Sequence, residues 1–237
     1  GHRDIAALTV LVDPAVAGPV IEALDGLGWK PSWVLNTHHH GDHTGANLEF
    51  KQRYNCQIAG PRAEADNIPG IDLALGDGDT FRLGDAEATI FDVPGHTSGH
   101  IAFWFKDSDA LFCGDALFAL GCGRVFEGTH EQMWTSLDKL RALPGETRIY
   151  CAHEYTEANL RFALDIEPDN AALNSRGDII FEARKSKKPT VPSSMADELA
   201  TNPFLRADDP VLQEALGMAG AEPFAVFSEG RPRQANS

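Results

Sequence analysis

Trp33-Val34-Leu35-Asn36-Thr37-His38-His39-His40-Gly41-Asp42-His43 is the stretch on which the fold turns. A short β-rich run, Ser32 to Leu35, delivers the chain into a loop that holds His38, His40, Asp42 and His43. Side chains so closely spaced can converge on one point, and imidazoles with a carboxylate suit zinc, iron or manganese. A structural zinc site more usually recruits thiolates, so this donor set favours a catalytic metal. A purification tag would be a uniform run at a terminus; this run is interrupted by Gly41 and Asp42 and follows a strand. His2 carries no functional weight.

Working outward, short β-rich runs alternate with helical ones up to about residue 153, as in sheets covered by helices. Strands are predicted at 8–12, 33–35, 57–59, 88–91, 101–105, 110–113 and 148–151. Helices are predicted at 15–27, after His43, and at 130–143, where Met133, Leu137 and Leu140 recur at helical spacing. Three more candidate ligands stand at the ends of these strands: His96 in Pro94-Gly95-His96-Thr97-Ser98-Gly99-His100, Asp115 in Cys113-Gly114-Asp115, and His153 in Cys151-Ala152-His153. Sheet edges bring such loops together. With the opening cluster these make five histidines and two aspartates, enough for two metal ions with Asp115 as a bridge.

Beyond His153 the predicted elements, at 156–166, 169–183, 194–201 and 210–217, are all helices with no strand between them. The basic stretch Arg184-Lys185-Ser186-Lys187-Lys188-Pro189 reads as a loop. Two domains are expected, a catalytic one over residues 1–160 and a small helical one over 161–237.

The composition narrows the possible partners. At 237 residues the chain can bury a sizeable core, and no apolar run approaches the length that crosses a bilayer. No secretory signal is visible, so a soluble, cytoplasmic protein is expected. Twenty Lys and Arg against 35 Asp and Glu leave a net charge of −15, which repels nucleic acid and anionic membranes, though a local basic pocket could still hold a small anion. Cys56, Cys113, Cys122 and Cys151 form no CxxC pair and read as buried thiols in a reducing compartment.

The signature His38-x-His40-x-Asp42-His43, followed in order by His96, Asp115 and His153, resembles the metallo-β-lactamase superfamily. Within it the chain resembles the glyoxalase II, or hydroxyacylglutathione hydrolase, family. Further motifs carry that narrower likeness: Gly121-Cys122-Gly123-Arg124, Phe126-Glu127-Gly128-Thr129, His153-Glu154-Tyr155-Thr156, Pro189-Thr190-Val191-Pro192-Ser193 and Asn202-Pro203-Phe204. The resemblance implies an α+β fold, an αβ/βα sandwich of two mixed sheets covered by helices, with a small all-α C-terminal domain that binds glutathione.

It also implies a ligand set: His38, His40 and His96 on one metal, Asp42, His43 and His153 on a second, and Asp115 bridging them. Two divalent ions are implied, zinc first, with iron or manganese possible. The implied reaction takes S-D-lactoylglutathione and water to glutathione and D-lactate, by attack of a metal-bridging hydroxide with Asp42 and Asp115 as the catalytic carboxylates. Two adjacent cations can bring the pKa of a shared water down to ~7, and a thiol of pKa near ~8.5 leaves readily. His39 is expected to point away from the site, His100 to support it, and His130, which opens a helix, to be exposed.

For the substrate, the resemblance implies Arg124, Phe126, Tyr155 and Arg231. Phe126 stands where some relatives have Tyr. Gln234 stands where the family's terminal helix has Lys, and Pro232 opposes a continuous helix there. Paired strands are expected to precede residues 8–13, and the molecule is expected to be a monomer. The alternative carried beside the hydrolase is a mononuclear iron persulfide dioxygenase of the same fold. The complete second-metal set and the helical tail disfavour it.

Overall fold

The computed structural model describes residues 8–235, with side chains as far as Gly230. These residues form two compact units. One runs to Asp92 and includes Thr97–Ser108; the other joins Val93–His96 to the chain from Asp109 onward.

The first unit contains, in order, β1 (Thr9–Val12), α1 (Ala17–Leu27), β2 (Pro31–Leu35), α2 (Gly41–Thr44), α3 (Asn47–Tyr54), β3 (Gln57–Pro61), β4 (Leu73–Leu75), β5 (Thr80–Leu83), β6 (Ala86–Asp92) and β7 (Ile101–Phe105). Strands β1 to β4 make a sheet in sequence order, parallel throughout. Parallel neighbours need crossovers. Helix α1 supplies the first and α3 the second, and their apolar faces share a core of Leu24, Val34, Ala46, Phe50, Ile58 and Ile68. Each large side chain buried this way contributes about 1.5–3 kcal/mol. Helix α1 stops at Gly28, whose φ of 67° closes the last turn.

The register pairs Val12 with Leu35, so Asp13 and the histidine loop leave the sheet side by side at the carboxyl ends of their strands, where α/β sheets build their sites. Strands β5, β6 and β7 form an antiparallel meander. The sequence patterns missed β4 and β5. Strand β4 has three residues, and in β5 only Phe81 is buried, too little for a period of two to register.

The second unit contains β8 (Ala110–Gly114), β9 (Leu117–Phe118), β10 (Gly121–Cys122), α4 (His130–Arg141), β11 (Arg148–Cys151), α5 (Thr156–Ile166), α6 (Ala171–Lys185), β12 (Ser193–Ser194), α7 (Met195–Thr201), α8 (Pro210–Ala215) and α9 (Pro223–Ala235). Strand β11 runs parallel to β8 and antiparallel to β12, and β9–β10 is a two-residue hairpin. Helix α4 starts at a capping box in which Thr129 and Gln132 satisfy each other's backbone N–H. The helices bury Leu160, Ala163, Leu173 and Ile180 around Leu120.

Three expectations need correction. A strand does follow His153, since Ser193–Ser194 pairs with β11; two serines carry no apolar alternation to announce it. Helix α6 runs on to Lys185, so the basic loop starts at Ser186, because Arg184 and Lys185 favour a helix C-terminus. Helix α9 runs through Pro232, which has no N–H to donate, so the helix continues with one ladder hydrogen bond fewer.

Candidate metal centre

In the first unit the histidine loop is organised by Asp13. Its Oδ1 accepts the Thr37 backbone N–H at 2.8 Å, and its Oδ2 accepts the Thr37 hydroxyl at 2.7 Å and His43 Nδ1–H at 3.1 Å. The Thr37 hydroxyl hydrogen is thus committed, so Thr37 Oγ1 can only accept from His38 Nδ1–H, 3.1 Å away. Both neutral rings then carry their lone pair on Nε2. A carboxylate behind a ligand histidine is the usual way to fix its tautomer and orientation. One donor atom from each of Asp13, His38 and His43 falls within 4.8 Å of the others, but Asp13's oxygens already accept these hydrogen bonds, which makes it an orienting group.

His38 Nε2 lies 3.1 Å from His40 Nδ1, the separation of two donors facing one point. His100 is buried and stacks on His38, centroids 4.6 Å apart. Asp42 opens α2, 60% exposed, with Oδ2 3.8 Å from His43 Nε2. Two further groups brace the loop. Buried Asn36 donates to the His43 carbonyl and exchanges amide bonds with Asn47. Glu64 accepts the backbone N–H of His39 at 2.9 Å and of Gly99 at 2.7 Å, and its Oε2 also lies 2.9 Å from His39 Nδ1.

The second unit brings together His96, Asp115 and His153. The register Cys151 to Gly114 places the residues that follow β8 and β11 at one sheet edge, and Ala152 N–H bonds the Gly114 carbonyl. Asp115 Oδ2 lies 3.4 Å from His96 Nε2 and 3.4 Å from His153 Nε2. His96 Nδ1–H donates to the Arg124 carbonyl at 2.8 Å, which leaves the lone pair on Nε2, the atom that faces Asp115. Gly95 approaches α4 so closely that a Cβ would sit 2.8 Å from Met133 Cβ, and its φ of 148° also favours glycine. Gly123 presses on Asp115, since a Cβ there would stand 1.8 Å from the Asp115 carbonyl oxygen.

Around this triad, Tyr155, 51% exposed, stacks on His153 at 5.0 Å, and Phe126, 63% exposed, lies 5.1 Å from the His96 ring. Arg124 is exposed. The side chains of Arg231 and Gln234 lie outside the described residues. His130 corrects an expectation: it is half-buried, with Nδ1 3.0 Å from Ser228 Oγ, because α9 packs beside α4. The cysteines form no disulfide; burial pushes the Cys151 thiol up to about 12 and Cys113 well above its ordinary range.

Sequence reasoning missed Asp13, Glu64 and Glu198. Asp13 ends a predicted strand one crossover before the loop, and its φ of 48° marks a constrained turn.

Comparison with known proteins agrees with this architecture. A family model described as the metallo-beta-lactamase superfamily matches residues 7–153, and one described as the hydroxyacylglutathione hydrolase C-terminus matches 154–236. A hydroxyacylglutathione hydrolase from Methylococcus capsulatus is 58% identical over 98% of this chain and 91% of its own length. One from Rhodospirillum rubrum is 52% identical over 93% and 86%. Among solved structures, ETHE1 from Myxococcus xanthus superposes with a TM-score of 0.64 at 23% identity, covering 99% of this chain and 92% of that one. TTHA1623 in a di-iron-bound form gives a TM-score of 0.53 at 26% identity over 61% and 80%. The chain belongs to the metallo-β-lactamase superfamily and, within it, to the hydroxyacylglutathione hydrolase (glyoxalase II) family.

Proposed function

We propose that the protein hydrolyses the thioester of S-D-lactoylglutathione and related 2-hydroxyacyl glutathiones, using two divalent metal ions, zinc first. His38, His40 and His96 would hold one ion, Asp42, His43 and His153 the other, with Asp115 shared. The observation that carries this reading is Asp115 Oδ2 flanked by two imidazole nitrogens at 3.4 Å each, an arrangement suited to a carboxylate oxygen shared between ions. The donor chemistry fits: imidazole and carboxylate, with the lone pairs of His38, His43 and His96 set by the partners of their other ring nitrogens.

Bound ions would supply a nucleophilic water at neutral pH and polarise the thioester carbonyl. The chain's own residues do the rest. In the reaction a carbon–oxygen bond to water forms, the carbon–sulfur bond breaks, and the thiol leaves without an acid of matched strength, since its pKa is near ~8.5. Arg124 supplies positive charge for an anionic peptide on a chain of net charge −15. Phe126 and Tyr155 offer exposed ring faces beside His96 and His153. Arg231 is assigned to the glycine carboxylate of glutathione from its place in the sequence, within the helical region from residue 161.

No helix among the described residues is long and apolar enough to cross a membrane. A cytoplasmic, monomeric enzyme is part of the proposal. The test is hydrolysis of S-D-lactoylglutathione by zinc-reconstituted protein. Inactivity with two ions bound would sink the assignment. One iron per chain with oxygen uptake on glutathione persulfide would replace it with the dioxygenase reading.

A further inference from the structure

We propose that Glu198, on α7, is a positioning residue for the metal centre, acting through the β9–β10 hairpin on Asp115 and on the Arg124 carbonyl that orients His96. Glu198 is fully buried. One oxygen accepts the Leu120 backbone N–H at 2.8 Å and the Asn202 amide at 2.9 Å, and the other takes the Arg176 guanidinium. Leu120 is at the hairpin tip in the left-handed region, φ 61°, a conformation that costs a non-glycine residue about 1–2 kcal/mol and persists only where its surroundings impose it.

The rest of the tip is gripped in the same way. Asn159 of α5 donates to the Ala119 carbonyl, and the Asn202 amide also reaches the carbonyls of Phe118 and Gly121. The apolar side of Leu120 packs on Leu160, Ala163, Leu173 and Ile180.

The hairpin has two ends. Before it stands Asp115; after it come Gly123, whose Cα faces the Asp115 carbonyl, and Arg124, whose carbonyl fixes His96. Gly123 N–H also bonds the Ala116 carbonyl and closes the base. With the base closed and the tip held, neither the shared carboxylate nor the His96 acceptor can drift without breaking the Glu198 contacts. A buried carboxylate paired only for stability could be replaced by an apolar pair at little cost. What the apolar pair lacks is an acceptor for the Leu120 N–H.

This inference rests on the thioester-hydrolase reading only for the use to which the centre is put. The test is the full-length double variant E198L/R176M, which removes both charges together, beside Glu167→Gln, which weakens the separate buried Arg206 cluster. Two readouts decide: hydrogen exchange of residues 115–124 in metal-free protein, and Zn²⁺ affinity by competition with a chromophoric chelator. The double variant is expected to lose protection selectively at 115–124 and to bind Zn²⁺ about tenfold more weakly, while Glu167→Gln changes neither. A folded double variant with wild-type exchange and wild-type Zn²⁺ affinity would overturn the proposal. Should it fail to fold, Glu198→Asp, which keeps the charge but withdraws the carboxylate, is judged by the same two readouts. Wild-type protein that binds Zn²⁺ but leaves the thioester intact would refute the functional reading alone.

Discussion

The histidine loop of the first unit and the His96–Asp115–His153 triad of the second hold similar donors by different means. The loop's proposed ligands are neighbours in sequence, and its brace, Asp13, lies at the end of an adjacent parallel strand, 30 residues from His43. The triad's side chains come from three separate segments, and their hairpin is gripped from α7, with Glu198 78 residues from Leu120. A dense motif can be oriented by the strand ends that carry it. A dispersed one must borrow rigidity from elements that contribute no ligand.

The largest expected effect tests whether the two sets serve one centre. His38→Ala and Asp115→Ala should each lower thioester hydrolysis by about a hundred- to a thousandfold, measured as kcat/KM in zinc-reconstituted protein. A mild His38→Ala beside a dead Asp115→Ala would separate the sets.

Next comes the brace of the loop. Asp13→Asn leaves a Thr37 or His43 hydrogen bond without its acceptor and should weaken Zn²⁺ binding by roughly 10- to 100-fold, read by chelator competition. Wild-type affinity in that variant would mean that the loop orients itself without Asp13. Smaller again is Glu64→Ala, which strips the acceptor from two backbone N–H groups and should cost about 1–3 kcal/mol in denaturant unfolding. Zn²⁺ affinity should move less than in Asp13→Asn, since Glu64 touches no proposed ligand's ring.

The smallest effect lies in the helical region. A hydrogen bond from Arg141 holds the half-exposed Asp208 carboxyl below its usual value of about 3.9, with burial opposing it. A lowered folded-state pKa adds stability that is complete above the unfolded value and disappears as the pH falls through the folded one. Asp208→Asn should therefore lower the neutral-pH plateau of a stability-against-pH curve and flatten its acid limb, converging on the wild type at pH values below the folded pKa. An unaltered acid limb would show that the ion pair is screened by solvent.

Much of this was legible in the sequence because its cause was local. Ile101–Phe105, Arg148–Cys151 and Thr156–Ile166 fall at their predicted positions, each carrying its own apolar pattern. The seven positions proposed as ligands were marked by residue type and by their places at strand ends. The braces were not, because an aspartate after a strand or a glutamate in a helix looks like solvated surface until a distant backbone N–H turns out to need it. Glu198 in Met195–Thr201 follows an acidic Asp197 and gives no sign of its burial. Ser193–Ser194 became a strand only because β11 offered an edge.

The two thiols behind the triad bear on how long such a centre survives its own chemistry. Disulfides of the released thiol would exchange only with a wall cysteine present as its thiolate. Burial pushes the Cys151 thiol up to about 12 and the Cys113 thiol well above its ordinary range, away from that reactive form. Burial thereby makes both side chains poor partners for thiol–disulfide exchange beside the triad.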